Sequence, residues 1–240
     1  MGVGRAHRIA GAATRIEPSL TFLRPRKLPR QARAHATVDA IVDACARLLA
    51  NGPYEALTTN SISERAGVSI GTLYEYFPNR ESIVAALTAA SCHRLVAALR
   101  RGASETRGMG DFEGVEHLLR SGVTVLSAPE NVFRRLMLEA PFVLRLPAFH
   151  EARATLDEIC EGIRAAAGER VNLPEPQLDA WLISEMLFSA MLRIAIGRTD
   201  AAQRDVMIRE LARMTFRMAT ARDPRPDEMP PREPQALALT

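Results

Sequence analysis

The sequence predicts an all-α protein with a small N-terminal three-helix domain and a larger C-terminal helical domain. Hydrophobic residues make up 47% of the chain but aromatic residues only 5%, and the Ala and Leu that supply much of the remainder favour helices. Apolar residues recur at helical spacing, and no stretch alternates apolar and polar residues long enough to require a sheet. The length of 240 residues allows one large core or two modest ones.

The N-terminal part predicts three helices that end at identifiable signals. The first is expected over residues 33–51, where apolar residues share one face and a Gly-Pro pair ends the pattern. Two short helices follow within residues 58–77. Thr58 is placed to cap the first, Gly67 supplies the left-handed residue that ends it, and Ser69 caps the second. This is a helix-turn-helix arrangement, which places its second helix in the major groove of DNA.

The segment at residues 66–81 reads AGVSIGTLYEYFPNRE and resembles the signature of the TetR family of bacterial transcriptional regulators. The resemblance covers roughly residues 30–85 without a gap. Beyond it, the chain is similar to the family only in length and helical character. The resemblance implies a dimeric regulator that binds DNA through its N-terminal domain and a small-molecule effector through its C-terminal domain.

The resemblance also implies DNA-contacting roles where the motif matches. The implied contacts are Thr58, Thr59, Asn60, Ser69, Ile70, Gly71, Thr72, Tyr74, Tyr76 and Arg80. Arg80 stands where the family commonly has a phosphate-binding lysine, which an arginine can replace with two hydrogen bonds. Ile70 stands where a polar residue is frequent, and it is expected either to contact a thymine methyl group or simply to be exposed. Ser63 replaces the usual alanine, and its hydroxyl is expected to bond to the Thr59 carbonyl.

The start of the chain is strongly basic, since residues 1–36 hold eight basic side chains against one acidic residue. One interpretation is a solvated, disordered tail. The other is a basic arm that contacts phosphates or enters a minor groove; we favour it for residues 24–33, with Arg30 and Arg33 as the DNA contacts nearest the first helix.

Two alternatives compete with a DNA-binding regulator. The sequence GVSIG at residues 67–71 matches the nucleophile elbow of hydrolases, with Ser69 as nucleophile. That elbow requires a strand before the serine, whereas residues 61–66 are helical in pattern, so we expect no enzyme. The second alternative is a small-molecule-binding protein that has lost DNA binding. The intact Thr58, Ser69, Tyr74 and Arg80 argue against it.

The C-terminal part predicts a long helix over residues 79–101 and a flexible, glycine-rich joint over residues 102–114. Further helices are expected at residues 112–127, 130–145, 147–168, 175–197 and 200–221. Pro141 should kink or end its helix. The predicted division of the chain is a basic disordered arm at 1–32, a helix-turn-helix domain at 33–80, a ligand-binding and dimerisation domain at 81–221 and a proline-rich disordered tail at 222–240.

The last two predicted helices indicate a subunit interface. Residues 176–197 are apolar nearly all round, so this helix must be buried on more than one side. Residues 201–221 add a further apolar face. Together they predict a homodimer in which each subunit gives two helices to a four-helix bundle, the alternative being a purely internal core. Such a dimer would place two recognition helices about one DNA turn apart, as a palindromic operator requires.

The effector pocket is implied by the family resemblance. The candidate lining residues are His117, Phe133, Met137, Phe142, Phe149, His150, Trp181, Met186 and Phe188. Their apolar character indicates a hydrophobic effector, although aromatic and Met side chains at this spacing lie in ordinary cores more often than in ligand walls.

The remaining sequence features predict a cytoplasmic protein without metal or cofactor. Cys45, Cys92 and Cys160 are an odd number and lie far apart, and Cys45 and Cys92 fall in apolar helical patterns, so no structural disulfide is expected. The alternative is a redox-sensing thiol. The histidines show no zinc spacing with these cysteines. No run is expected to span a membrane. The sequence therefore predicts a regulator, a repressor by resemblance, that a small effector releases from double-stranded DNA.

Overall fold

The computed structural model describes residues 31–128 and 132–229 together with Leu23. Within these ranges the chain is helical and contains no strand, which confirms the all-α prediction. The α-helices are α1 Ala32–Asn51, α2 Thr59–Ala66, α3 Ile70–Tyr76, α4 Arg80–Glu105, α5 Asp111–Ser127, α6 Phe133–Glu139, α7 Pro147–Ala167, α8 Pro176–Ile196 and α9 Ala201–Thr220. Short 3₁₀ helices occur at Tyr54–Ala56, Pro141–Arg145, Gly168–Arg170 and Pro226–Glu228.

The N-terminal core forms where α1, α2, α3 and the start of α4 meet. The spacing of apolar residues in α1 puts Ile41 and Leu49 on the face that packs against α2 and α4, and both side chains are fully buried. Ile62 of α2 and Leu73 of α3 are buried in the same core, so these two short helices are held together by apolar contacts. The three-helix prediction is confirmed.

Helix α6 belongs to this N-terminal core, which the sequence did not predict. Leu136 and Val143 are fully buried against the helix-turn-helix side of the molecule, although they lie in the predicted C-terminal domain. Leu23, in the segment expected to be a disordered arm, is also buried in this core. The boundary expected after residue 80 therefore does not separate the two cores, because residues that follow it in the chain are buried in the N-terminal core.

The C-terminal core lies between α4, α5, α7, α8 and α9. Gly122 of α5 marks a point of close packing, because a Cβ atom there would lie 2.9 Å from Met191 Sδ and 3.2 Å from Leu99 Cδ2. The missing side chain thus lets α5 approach α4 and α8. The aromatic rings of Phe112 and Phe216 meet edge to face at 6.0 Å between centroids and join α5 to α9.

The expected flexible joint at residues 102–114 is wrong at its start. Helix α4 continues to Glu105, and Gly102 is buried in it. A Cβ atom on Gly102 would lie 2.8 Å from Ser121 Oγ and 3.0 Å from Ser121 Cβ, so this glycine permits close packing between α4 and α5. The connection between the two helices comprises residues 106–110 only.

Proline has the predicted effect at Pro141, where α6 ends and a 3₁₀ helix begins. The tail prediction is wrong for its first part. Residues 222–229 turn through a 3₁₀ helix, Arg222 pairs with Glu228 at 2.8 Å, and Met229 packs against the C-terminal core. Residues 129–131 and 230–240 lie outside the described residues.

Helix α4 is long and apolar enough to cross a membrane by length and composition, with a mean hydropathy of 1.5 over its most apolar window. The expectation that no apolar run is long enough to span a membrane is therefore wrong when length and composition alone are considered. Within the protein, 61% of that window is buried, which is typical of the core helix of a globular protein.

Candidate nucleic-acid interface

The ends of α2 are fixed by the residues that the sequence singled out. Thr58 Oγ1 accepts a hydrogen bond from the Ser61 backbone N–H at 3.0 Å, and Ser61 Oγ accepts one from the Thr58 N–H at 3.0 Å. This reciprocal capping satisfies two backbone donors that a helix start leaves free. At the other end, Gly67 has φ of 69°, a left-handed conformation that favours glycine.

Helix α3, the predicted recognition helix, begins immediately after the turn. Ser69 Oγ accepts a hydrogen bond from the Thr72 N–H at 3.0 Å and lies 2.8 Å from Thr72 Oγ1. Leu73 is fully buried and anchors α3 to the core. Because Leu73 is anchored, the side chains on the other side of α3 are held at the surface in a fixed orientation.

The exposed surface of α2 and α3 carries hydroxyls, small groups, two larger apolar or aromatic side chains, and the charged side chains of Glu64, Arg65 and Glu75. Ile70 is 38% exposed and Tyr74 is 40% exposed. The Tyr74 hydroxyl lies 3.0 Å from Thr59 Oγ1, so it is held by the start of α2. Gly71 is exposed, and a Cβ atom there would meet only Ser69 Oγ at 3.7 Å. The exposed or half-exposed members of the predicted set are Thr58, Thr59, Asn60, Ser69, Ile70, Gly71, Thr72 and Tyr74.

Three predicted details differ in the structure. Tyr76 is 8% exposed and belongs to the N-terminal core, because it follows Leu73 by three residues and shares its face. Ser63 donates its hydrogen bond to the Asn60 carbonyl at 2.9 Å, three residues back, and not to the Thr59 carbonyl. Arg33 is exposed in the first turn of α1, whereas Arg30 lies outside the described residues.

Arg80 is engaged within the protein. Its guanidinium donates to the Leu57 carbonyl at 3.2 Å, pairs with Glu81 at 2.9 Å and lies 4.5 Å from the centre of the Tyr54 ring. The side chain is 30% exposed. Arg80 therefore ties the start of α4 to the segment that precedes α2, and only one edge of it is open to solvent.

The nucleophile-elbow interpretation of Ser69 does not hold. The serine follows helix α2 and a turn, whereas the elbow requires a strand at that place. Its hydroxyl caps α3.

The N-terminal domain is joined to the C-terminal domain by hydrogen bonds from α6. The Tyr54 backbone N–H donates to Glu139 Oε2 at 2.7 Å, and Arg135 donates to the Gly52 carbonyl. At its other end, α6 contacts α8, since Arg134 Nε donates to the Ile196 carbonyl at 2.8 Å. Helix α6 thus touches both the segment before the helix-turn-helix and the C-terminal end of α8.

The predicted effector residues do not form one site. Phe133, Phe149 and Phe188 are buried and pack on one another, with centroids 6.5 Å and 5.4 Å apart, so they fill a core. Trp181 and Met186 are 48% and 45% exposed on the outer face of α8.

The other candidates are dispersed as well. Met137 and Phe142 pack partly buried against the N-terminal core. His117 Nε2 lies 2.8 Å from Glu105 Oε2, an ion pair if the histidine is protonated, and His150 is exposed on α7.

Sequence reasoning missed an apolar cavity of about 80 Å³ at the end of the C-terminal domain farthest from α2 and α3. Its wall includes Leu118 and Leu119 of α5, Ile183 and Leu187 of α8, and Leu173 of the α7–α8 connection. No sequence pattern distinguishes these aliphatic residues from ordinary core residues. Among the described residues no group of His, Cys, Asp and Glu side chains is placed to hold a metal ion.

Comparison with known proteins agrees with this geometry. The family model of bacterial regulatory proteins of the tetR family matches residues 41–87, which run from α1 into α4. The chain is 29% identical over 173 residues to the HTH-type transcriptional repressor KstR of Rhodococcus jostii, over 68% of this chain and 76% of that relative. It is 35% identical over 75 residues to KstR of Mycobacterium tuberculosis, over 31% of this chain and 29% of that relative.

Solved structures share the fold over most of the chain. The fatty acid degradation regulator FadR from Bacillus halodurans superposes with a TM-score of 0.61 at 18% identity, over 79% of this chain and 97% of that one. A chain from Mesorhizobium loti assigned to the TetR family gives 0.60 at 17% identity, over 78% and 98%. The helix-turn-helix geometry, the family match and the related repressors together show that the chain is a transcriptional regulator of the TetR family.

Proposed function

We propose that this regulator is a cytoplasmic repressor that binds a palindromic operator as a dimer and is released by a small hydrophobic effector. The observation that carries the DNA-binding part is the exposed, hydroxyl-rich face of α2 and α3 on a firmly packed scaffold. Thr58, Ser69 and Tyr74 each support the geometry of this face as well as lying on it. Such a face offers both donors and acceptors to phosphates and base edges.

Individual roles follow from exposure. Thr58, Thr59 and Asn60 lie at the N-terminus of α2, where backbone N–H groups and hydroxyls suit a phosphate. Ile70 and Tyr74 are the large apolar and aromatic side chains exposed on α3, and we assign them contacts to base edges, with Ile70 suited to a thymine methyl group. We assign Arg80 a positioning role through Leu57 and Tyr54, in addition to the phosphate contact first expected of it.

The dimer proposal rests on the outer faces of α8 and α9. Large apolar side chains are exposed there at helical spacing: Leu178, Trp181, Leu182, Met186, Val206, Met207, Met214 and Met218. An apolar stripe of this extent on two neighbouring helices is typical of a subunit interface. A two-fold arrangement would bury both stripes in one four-helix bundle.

We propose that the effector response reaches the DNA-binding domain through two helices, α4 and α6. Helix α4 begins at the helix-turn-helix and runs the length of the C-terminal core. Helix α6 bonds to the Gly52–Tyr54 segment through Arg135 and Glu139, and to the end of α8 through Arg134. A shift of α8 would therefore reach the DNA-binding domain through α6 as well as α4, changing the spacing of the two recognition helices.

Selection of bound sequences from a random pool of DNA duplexes tests this function. We expect the purified dimer to recover a palindrome whose half-sites lie about one DNA turn apart. Recovery of no sequence at low salt, from a folded dimer, would contradict the proposal. Recovery of a single, non-repeated half-site would contradict the dimeric mode alone.

A further inference from the structure

The distal cavity described above has a wall without available polar groups. It is enclosed by the far ends of α5, α7, α8 and α9 and by the connection between α7 and α8. Three of its lining side chains carry a polar group, and each is accounted for. Thr215 Oγ1 donates to the Leu211 carbonyl at 2.8 Å within its own helix. Arg164 pairs with Glu161 at 2.7 Å.

The third such group is the thiol of Cys160. Burial raises the pKa of this thiol to about 12, so it stays neutral at physiological pH. The remaining lining residues are aliphatic. Apart from the Arg164 guanidinium, which pairs with Glu161 at the exposed edge, the lining carries no charge. A polar group placed against the aliphatic wall would lose its hydration without compensation.

One wall of the cavity is a short segment that can act as a cover. Residues 168–173 pass from a 3₁₀ turn into an extended stretch, and Val171 and Leu173 face the cavity. Gly168 opens the segment with φ of 56°. A backbone hydrogen bond from Asn172 N–H to the Ala219 carbonyl, at 2.7 Å, ties it to α9. Arg170 adds an exposed ion pair to Asp111 of α5 at 3.1 Å. The helices behind the segment, by contrast, are part of the main core.

The volume sets the size of what the closed cavity accepts. Dry apolar cavities of about 150 Å³ take up benzene, and the present 80 Å³ is about half of that. The closed form therefore has room for a few methylene groups. A longer chain or a fused ring system would need residues 168–173 to move outward.

We propose that this distal cavity binds the apolar, uncharged part of the effector, a hydrocarbon chain or ring, beneath the cover formed by residues 168–173. This inference rests on the proposed ligand-responsive function for its physiological meaning, but binding can be measured without DNA. It places the site away from the aromatic cluster around Phe149 that the sequence suggested.

The test uses the full-length protein and 1-aminoanthracene, an uncharged aromatic probe whose fluorescence rises in apolar surroundings. The variant Ala180→Leu fills the cavity from α8, since Ala180 is a buried wall residue. The variant Ala219→Leu fills it from α9 at a less buried position, in case the first variant does not fold. The matched control is Ala154→Leu, the same change at an exposed position of α7.

We expect wild-type protein and Ala154→Leu to bind the probe alike, and each filling variant to bind it at least tenfold more weakly while keeping its helical content. Equal probe binding by a folded filling variant would place the probe elsewhere and overturn the proposal, as would a wild-type protein that binds no probe. Operator binding is measured separately on the same samples. Wild-type protein that binds the probe but binds no operator would contradict the proposed function without contradicting the cavity assignment.

Discussion

The helix-turn-helix and the C-terminal domain are both helical, but their helices are positioned in different ways. Helices α2, α3 and α4 each begin with a side-chain cap supplied within three residues, by Thr58, Ser69 and Asn79. Helices α5, α6, α7 and α8 begin without a side-chain cap among the described residues, although α9 has one at Asp200 and α1 has none. They are positioned by core packing and by ion pairs between distant residues, such as Arg120 with Asp205 and Arg153 with Glu185.

This difference explains why the DNA-binding face could be predicted from the sequence and the C-terminal cavity could not. A cap and its helix lie together in the chain, so a short motif records the geometry of the DNA-binding face. The proposed effector cavity forms where four helices meet, and its wall consists mostly of ordinary aliphatic side chains that lie between Val115 and Ala219 in the chain. We expect substitutions in the two regions to separate DNA binding from stability, and the predictions below test that separation.

The largest expected effect is at Gly102, which the structure places in close packing against Ser121. The substitution Gly102→Leu should lower the free energy of unfolding by about 3 kcal/mol, since overpacking of a filled core is costly. Denaturant unfolding followed by circular dichroism measures it. The control is Gly71→Leu, at a position open to solvent. A Gly102→Leu protein as stable as the wild type would restore the flexible joint that the sequence suggested.

The next effect concerns DNA affinity without a change in stability. Replacing Tyr74 by Ala removes the largest exposed ring on α3 and the hydroxyl held by Thr59. We expect operator binding to weaken by about 2 kcal/mol, measured by fluorescence anisotropy on the selected duplex. The control Tyr74→Phe keeps the ring and removes only the hydroxyl. An unchanged affinity in both variants would remove Tyr74 from the DNA-binding face.

The contact between the two regions can be weakened directly at Glu139. The substitution Glu139→Ala removes the acceptor for the Tyr54 N–H, and it should lower the free energy of unfolding by about 1 kcal/mol. The neighbouring Leu138 is 57% exposed, so Leu138→Ala serves as the control. Equal melting curves for the two variants would show that this hydrogen bond does not hold the domains together.

The basic arm is tested by salt dependence. Removal of residues 1–22 takes away three arginines but keeps Leu23, which is buried in the N-terminal core. We favour a DNA-contacting arm only for residues 24–33, so we expect the slope of log affinity against log salt to stay the same. Each phosphate that the removed arginines neutralise would instead make the slope shallower by about 0.9. An unchanged slope would limit the arm to residues 24–33, the part expected to contact DNA from the sequence.

The smallest difference between the two regions is expected in the reactivity of their cysteines, which should be low in both cores. Burial raises the pKa of Cys45, Cys92 and Cys160 to about 12, so at pH 8 roughly one thiol in ten thousand is ionised. We expect native protein to react with Ellman's reagent far more slowly than urea-unfolded protein. Cys160 should react first, because it lines the cavity. Rapid reaction of Cys45 would mean that the N-terminal core opens readily.

Much of the N-terminal geometry was predictable from residues that are close in sequence. The caps at Thr58 and Ser69 and the left-handed Gly67 are all as predicted. The errors there concern which neighbour a side chain contacts. Tyr76 was expected at the surface, yet the face it shares with Leu73 turns it into the core. Ser63 bonds three residues back and not four.

By itself, the sequence determined the all-α class, the helix-turn-helix and the ends of α2 and α3, because periodicity, caps and turn residues act within one or two helical turns. Only the tertiary structure decided that α6 packs with the N-terminal core, that Gly102 is a packing residue, and where a cavity remains between the C-terminal helices. These depend on which helix faces meet across long chain separations. An apolar helix face predicts burial, but it does not indicate which other element it packs against.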